Sequence, residues 1–463
     1  MNKLQKRAGK WLGILGAFSL ALAGCSSSSG SVGDAKTDTN ADKGLPIAGQ
    51  AVQYDPNTLV NDGKPIQLQW WAWQDVEQYQ QIADDYQKIH PNVDIQVVNQ
   101  PWDDYWTKLP LELKGSNGST LFNIHNSQHN NIKSFLEPYD IPVDKLKADY
   151  EGVATHIDEN GTVPYIDLGF MSGAIYYNTD MWNAAGLTEK DIPTTWSELR
   201  TVAKKLTERD SSGNLTRAGF SFNDEGSAFQ MGLAYQRGQN LFKSDLKTPD
   251  VDNSANRDVI TTMLAIYEDG SGDKDFGASG TDSFGQGQAA MTYAWGWFSG
   301  TLRNDYPDIN WSAFPTPVPD DTDTPYAYDR YNGESTFGIN ANASDEQKAV
   351  AQDFLRYFLT NKEALLQLSK DYSVFPSYKP IADDPSLQED PAIAAFRGLD
   401  RYIWPGNIPA TFETNYGQMW QDILYNGVTP ADGLTSAQKN IETDLKSTEF
   451  TSVENRYEHY QQK

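Results

Sequence analysis

Residues 163–182 narrow the possible folds of this chain more than any other stretch. Pro164 and Gly169 punctuate its start, and Ala174, Ile175, Tyr176 and Tyr177 form a short apolar and aromatic run suited to a pleated surface. Asn178, Thr179 and Asp180 then supply helix-start chemistry. A strand of this kind reads as a crossing from one half of the chain to another. The length calls for two halves: at 463 residues it exceeds the ~250–300 at which a single hydrophobic core stops growing. Residues around the crossing then floor the groove between two lobes, where ligand pockets concentrate. Asp167 is a candidate for that floor.

Upstream, residues 65–73 read as a strand, with Ile66, Leu68 and Trp70 on one parity and Trp71 and Trp73 close behind. Val76, Tyr79, Ile82, Ala83, Tyr86 and Ile89 follow at the spacing of an amphipathic helix that Asp75 is placed to cap. Pro91 and Asn92 break it, and residues 93–98 alternate as a second strand. Strand, helix, strand is the unit of a parallel α/β sheet, whose ligands bind outside the carboxyl ends of the strands. Trp73, Gln74 and Asp75 therefore stand at a candidate rim. Residues 102–113 predict a second amphipathic helix, with Trp102 and Trp106 assigned to core packing. A short buried strand over 121–124 ends in His125, Asn126, Ser127, Gln128, His129, Asn130 and Asn131, neutral donors and acceptors suited to reading hydroxyl groups. His125 and His129 lack a third ligand or a nearby carboxylate, so no metal is assigned.

Beyond the crossing, Thr195 caps a predicted helix over 194–207, and residues 210–214 read as a hairpin turn. Asn223, Asp224 and Glu225 are further groove candidates. Residues 284–297 combine small residues with Trp295 and Trp297; one of the two packs inside and the other offers a flat apolar face. The glycines there match no phosphate-binding fingerprint. Residues 326–335 mix aromatic and polar groups, among them Asn332 and Glu334, and a long helix opens at Ser344. Trp404 precedes an Asn-Ile-Pro segment and a final helical region.

The first residues carry Lys3, Lys6, Arg7 and Lys10, then an apolar run over 11–23, then Gly24 and Cys25. This is the pattern of a secretory signal. Cys25 is the only cysteine, which excludes a disulfide within the chain, and its place directly after Leu22, Ala23 and Gly24 resembles the lipobox of bacterial lipoproteins. Residues 26–49, rich in Ser, Gly, Asp and Lys, predict a disordered tether. A formal charge of -26, from 37 basic and 63 acidic residues, argues against a nucleic-acid partner and for solubility.

The order of these motifs resembles the extracellular solute-binding proteins, family 1, of bacterial carbohydrate importers of the ATP-binding cassette (ABC) type. The carriers are residues 68–73 with the helix after them, 121–126, 173–182, 284–297 and 333–340, all behind a lipobox. The resemblance implies an α/β, two-lobed periplasmic-binding-protein-like fold with discontinuous lobes and a hinged ligand cleft. Its expected divisions are a signal peptide over 1–24, a disordered tether over 25–60, one lobe from 61–169 with 335–382, and the other from 170–334 with 383–463. It implies His125 and Asn126 as ligand contacts, then Trp297 with Trp295 as its substitute. At the family's aromatic position after Asn-Ile-Pro this chain holds Asn415, with Tyr416 or Trp404 as replacements. The implied function is capture of an oligosaccharide and delivery to ABC transporter permease subunits by a monomer. It would be lipid-anchored at Cys25 on the extracellular face of a bacterial, Gram-positive membrane, with no cofactor, metal or catalytic residue. A glycoside hydrolase, which needs paired carboxylates, and a surface adhesin are the competing readings.

Overall fold

The structure is a computed structural model that describes residues 44–115, 118–223, 225–277, 279–322, 324–396, 402–403, 406, 408–446 and 450–454. Cys25 and the residues read as a signal, 1–24, lie outside them. The described chain opens with a hairpin of β1 (Ala48–Gly49) and β2 (Gln53–Tyr54). Val52 and Tyr54 are buried, the Ala51 and Val52 amides donate to Asp149, and Tyr54 Oη bonds His90 Nε2 at 2.8 Å. Val52 and Tyr54 thus anchor this hairpin to the folded body, within the range 25–60 expected to be a tether.

β3 (Ile66–Ala72), α1 (Val76–Ile89) and β4 (Val93–Asn99) form the expected parallel unit. α1 buries Tyr79, Ile82, Ala83 and Tyr86. Asp75 does not cap it: the residue sits in the left-handed region at φ 49° and its side chain makes no capping bond. α2 (Trp102–Glu112) leads to β5 (Leu121–Asn123), parallel to β3, and α3 (His129–Ile132), β6 (Leu136–Glu137) and α4 (Val143–Asp149) follow.

β7 (Asp167–Asn178) is the crossing strand, and Asn178 caps α5 (Thr179–Ala184) by accepting from the Met181 amide. α6 (Trp196–Leu206) opens on a reciprocal cap between Thr195 and Glu198. Next come the hairpin β8 (Glu208–Arg209) and β9 (Leu215–Arg217), α7 (Gly226–Gln236), α8 (Ser254–Glu268) and α9 (Gly280–Gly285). β10 (Met291–Trp295), α10 (Phe298–Asp305), β11 (Trp311–Pro315) and β12 (Asp329–Ser335) complete this half. The chain then returns through β13 (Phe337–Asn340), α11 (Asp345–Thr360), α12 (Lys362–Asp371) and β14 (Phe375–Pro376). α13 (Pro391–Ala395), β15 (Tyr402–Ile403), α14 (Thr411–Tyr425) and α15 (Pro430–Leu445) end it.

Two mixed sheets result. One has the order β4-β3-β5-β13-β6; the other has β10-β7-β12-β15, with β11 and β14 also on β7. The first draws on strands before β7 and after β12, so it is discontinuous in sequence. β7 serves as the spine of the second: its amino-terminal part pairs β12 and β14, and its carboxyl part pairs β10 and β11. Only Thr336 separates β12 from β13, and its amide and hydroxyl both donate to Ile166 O at 2.8 Å, tying two crossings together. Among the described residues no helix is long and apolar enough to cross a membrane.

Candidate ligand-binding site

The first wall of the site stands at the carboxyl ends of β3 and β5. Tyr105 Oη donates to Asn123 O at 2.8 Å and Trp71 O at 3.2 Å, holding these two strand ends together. Just beyond them Trp73 packs against Trp102 (5.3 Å between ring centroids), Tyr105 (5.0 Å) and Trp106 (5.4 Å). His125 lies edge-on to Trp102 at 5.2 Å. Burial lowers its imidazole to about 4, so at neutral pH one ring nitrogen donates and the other accepts. Gln74 is exposed and Asp75 half-buried. Trp102 itself is 43% exposed, so the assignment of this ring to the core is corrected. It is the first residue of α2, and no preceding turn covers it.

The floor is β12, whose faces alternate. Tyr331, Gly333 and Ser335 are buried, whereas Asn332 and Glu334 keep partial access to water. Gly333 is required there, because a Cβ would lie 2.2 Å from the Asp167 carboxyl group. Among the described residues neither Asn332 nor Glu334 makes a side-chain hydrogen bond. Burial pushes the Glu334 carboxyl up to about 8, and the charges of Asp167 and Asp75 add to the effect. Burial also raises Asp75, partly offset by a hydrogen bond from Tyr372. Tyr372 in turn bonds Tyr79 at 2.7 Å, joining the end of α12 to α1.

The second wall is the carboxyl end of β10. Trp295 pairs with Gly173 and is 8% exposed, with the Arg330 guanidinium 4.6 Å above its ring. Gly296 passes so close to Ser373 that a Cβ would meet its carbonyl at 2.6 Å. Trp297 then projects at the start of α10, 42% exposed. One tryptophan is thus inside and one outside. Glu225 is half-buried just before α7.

Four of the residues picked from sequence are occupied elsewhere. Asn126 donates to Gly333 O at 2.8 Å and accepts from Ser335 Oγ at 3.0 Å, so its amide fastens the polar turn to β12. Asp167 is buried and holds His156 Nε2 at 2.8 Å. Asn415 donates to Thr411 O at 2.9 Å and to Asp444 at 3.3 Å, toward α15. Tyr416 is buried in the core beside Phe412. These four groups therefore make hydrogen bonds within the fold or pack in its core. Trp404 lies outside the described residues. His129 bonds Tyr165 at 3.1 Å.

Residues 71–365 match the family of bacterial extracellular solute-binding proteins. No curated protein sequence matches the chain. Among solved structures it is similar to a maltose/maltodextrin-binding domain from Bdellovibrio bacteriovorus bound to maltotriose: 17% identity, 82% of this chain, 100% of that one, TM-score 0.66. It is likewise similar to an ABC substrate-binding protein from Listeria monocytogenes in complex with cycloalternan: 18% identity, 83% and 100% coverage, TM-score 0.67. A third is the GacH receptor of Streptomyces glaucescens, solved unliganded and with acarbose: 17% identity, 82% and 98% coverage, TM-score 0.68. At such identities these likenesses establish the fold, which is the periplasmic-binding-protein type. With the family matched over well more than half its length, the chain belongs to the bacterial extracellular solute-binding proteins. This is a family of binding proteins and not of enzymes, which sets the hydrolase reading aside.

Proposed function

We propose that this protein is the carbohydrate-capturing subunit of an ABC importer, taking an oligosaccharide between its two walls and presenting it to membrane permease subunits. The observation that carries the reading is the pair of exposed indoles, Trp102 beyond β3 and β5 and Trp297 after β10, together with Asn332 and Glu334 of β12, which make no side-chain hydrogen bond among the described residues. A sugar ring has an apolar C–H face and a polar rim, so flat rings and free hydrogen-bonding groups are what its recognition needs. The structural relatives named above were solved with maltotriose, with cycloalternan and with acarbose, which supports the same class of solute. Closure would follow from contacts that only the closed form makes. Cys25, acylated after removal of residues 1–24, would hold the protein on the outer face of the membrane; stable anchoring takes more than one chain.

Calorimetric titration of the protein with maltotriose, maltotetraose and mannobiose tests the reading. Saturable binding of at least one, with the sugar recovered intact, is expected. No heat with any of them, together with binding of a peptide or amino-acid solute, would refute it. For the anchor, Cys25→Ala should release the protein from membranes into the medium.

A further inference from the structure

We infer that Arg330 is a ligand-binding residue of the cleft floor, its guanidinium placed to take the carboxylate of an acidic sugar, so that the oligosaccharide this protein captures carries a uronate ring. This rests on the function proposed for the cleft. Successive side chains of β12 alternate between its faces, so Arg330 shares a face with Asn332 and Glu334, the two residues through which the floor reaches water. The row from Arg330 to Glu334 runs about 13 Å along the strand. The register carries the same face across the second sheet: Asn332 pairs with Met171, and Gly173, two residues farther along β7, pairs with Trp295. The guanidinium accordingly lies over the Trp295 ring, 4.6 Å from its centroid, and exposed Trp297 follows two residues later.

Arg330, 8% exposed, is the buried arginine among the described residues, and it is the one without an acceptor. Six of the other described arginines hold a carboxylate, and Arg209 bonds two backbone carbonyls. The Arg330 Nε is sealed from solvent with nothing to donate to, whereas Nη1 and Nη2, which also lack an acceptor among the described residues, keep access to water. A buried cation without an acceptor is costly, and the Trp295 ring offsets only part of that cost. Neighbouring Asp329 does not supply the missing partner. Its oxygens accept from the Arg330 amide at 2.7 Å, Thr316 Oγ1 at 3.0 Å and Tyr293 Oη at 3.2 Å, and not from the guanidinium. Burial pushes that carboxyl up to about 7, and the charge of Arg330 offsets the shift in part. Glu334, raised to about 8, is mostly protonated at neutral pH and does not repel an anion lying along the row. A planar fork with both outer nitrogens open is matched by a carboxylate, which accepts two parallel N–H bonds. The net charge of -26 opposes anions at long range, but salt screens that field beyond about 8 Å, so the attraction is local.

The test titrates wild type, Arg330→Met and Arg330→Lys with trigalacturonate, trimannuronate, their methyl esters and maltotriose by calorimetry, with thermal melting alongside. Wild type should bind at least one uronate about tenfold more tightly than its ester, which keeps the rings and loses the charge. Arg330→Met should lose about thirtyfold for that uronate and about twofold or less for the ester. Its melting temperature should hold or rise, because an unpaired buried charge is gone. Arg330→Lys, which keeps the charge and loses the fork, should fall between the two. If Arg330→Met does not fold, Arg330→Lys and the comparison of uronate with ester decide. Uronates bound no tighter than their esters or maltotriose, or bound equally well by Arg330→Met, would overturn the inference, and saturable maltotriose binding would then leave the carbohydrate reading standing. If the wild type binds neither the acidic nor the neutral sugars, both fall.

Discussion

Two polar clusters sit close together at the crossing, and their fates are opposite. Asn126 and Asp167 are buried and hydrogen-bonded, one with the β12 backbone and Ser335, the other with His156. Asn332 and Glu334, on the strand that Asn126 fastens, are half-buried and make no side-chain hydrogen bond among the described residues. A buried polar group without a partner is costly, so the first pair shows what the fold needs and the second what it leaves open for a solute. Polar residues beside a groove are therefore not equivalent; satisfaction, not position, separates positioning from recognition.

Mutations can break this contrast. Asp167→Ala should have the largest effect, about 3–5 kcal/mol of stability by denaturant unfolding, because it strips the partner from buried His156. Asn126→Ala, leaving Gly333 O and Ser335 Oγ without their partner, should cost about 1–3 kcal/mol. If either variant unfolds like the wild type, the structural role assigned to that residue is wrong. Glu334→Gln should instead leave stability within about 0.5 kcal/mol at pH 5 while weakening sugar binding about tenfold, or ~1.4 kcal/mol. An unchanged dissociation constant would remove Glu334 from the site.

The remaining prediction is a slope in pH. Glu334 is raised from an ordinary carboxyl value to about 8, so between roughly pH 4.5 and 8 the folded form binds the extra proton. Its contribution therefore favours the fold at the acid end of that window and is lost as pH rises toward 8. The stability difference between Glu334→Gln and wild type should grow in favour of the variant from pH 5 to pH 8. A difference that is flat across that range would contradict the burial assigned to this carboxyl.

Much of the scaffold is legible in the sequence because period and punctuation speak locally. The alternation of 65–73, the helical stripe of α1, the Thr195 and Ser344 caps and the crossing strand all follow from residue order. The site is legible only in part. Trp295 and Trp297 have the same parity, and the expectation that one packs inside holds, Arg330 covering Trp295. Trp102 reads as inward because it continues the stripe of Tyr105 and Leu109; helical period does not reveal that the first turn has no neighbour above it. On α14 Phe412, Tyr416, Met419 and Trp420 turn to the core and Asn415 to α15, a rotation set by tertiary packing alone. The bonds that Asn126 and Asp167 make are not legible at all, since a sequence does not display its hydrogen-bond partners.

The two-walled cleft is tested most directly by titrating one bound oligosaccharide into Trp102→Ala, Trp297→Ala and the double variant. Each single change should weaken binding at least tenfold with the melting temperature preserved, and the double variant should be weaker than either. Wild-type affinity in Trp102→Ala or in Trp297→Ala would mean that a single wall holds the sugar, and that the cleft does not grip its solute from both sides.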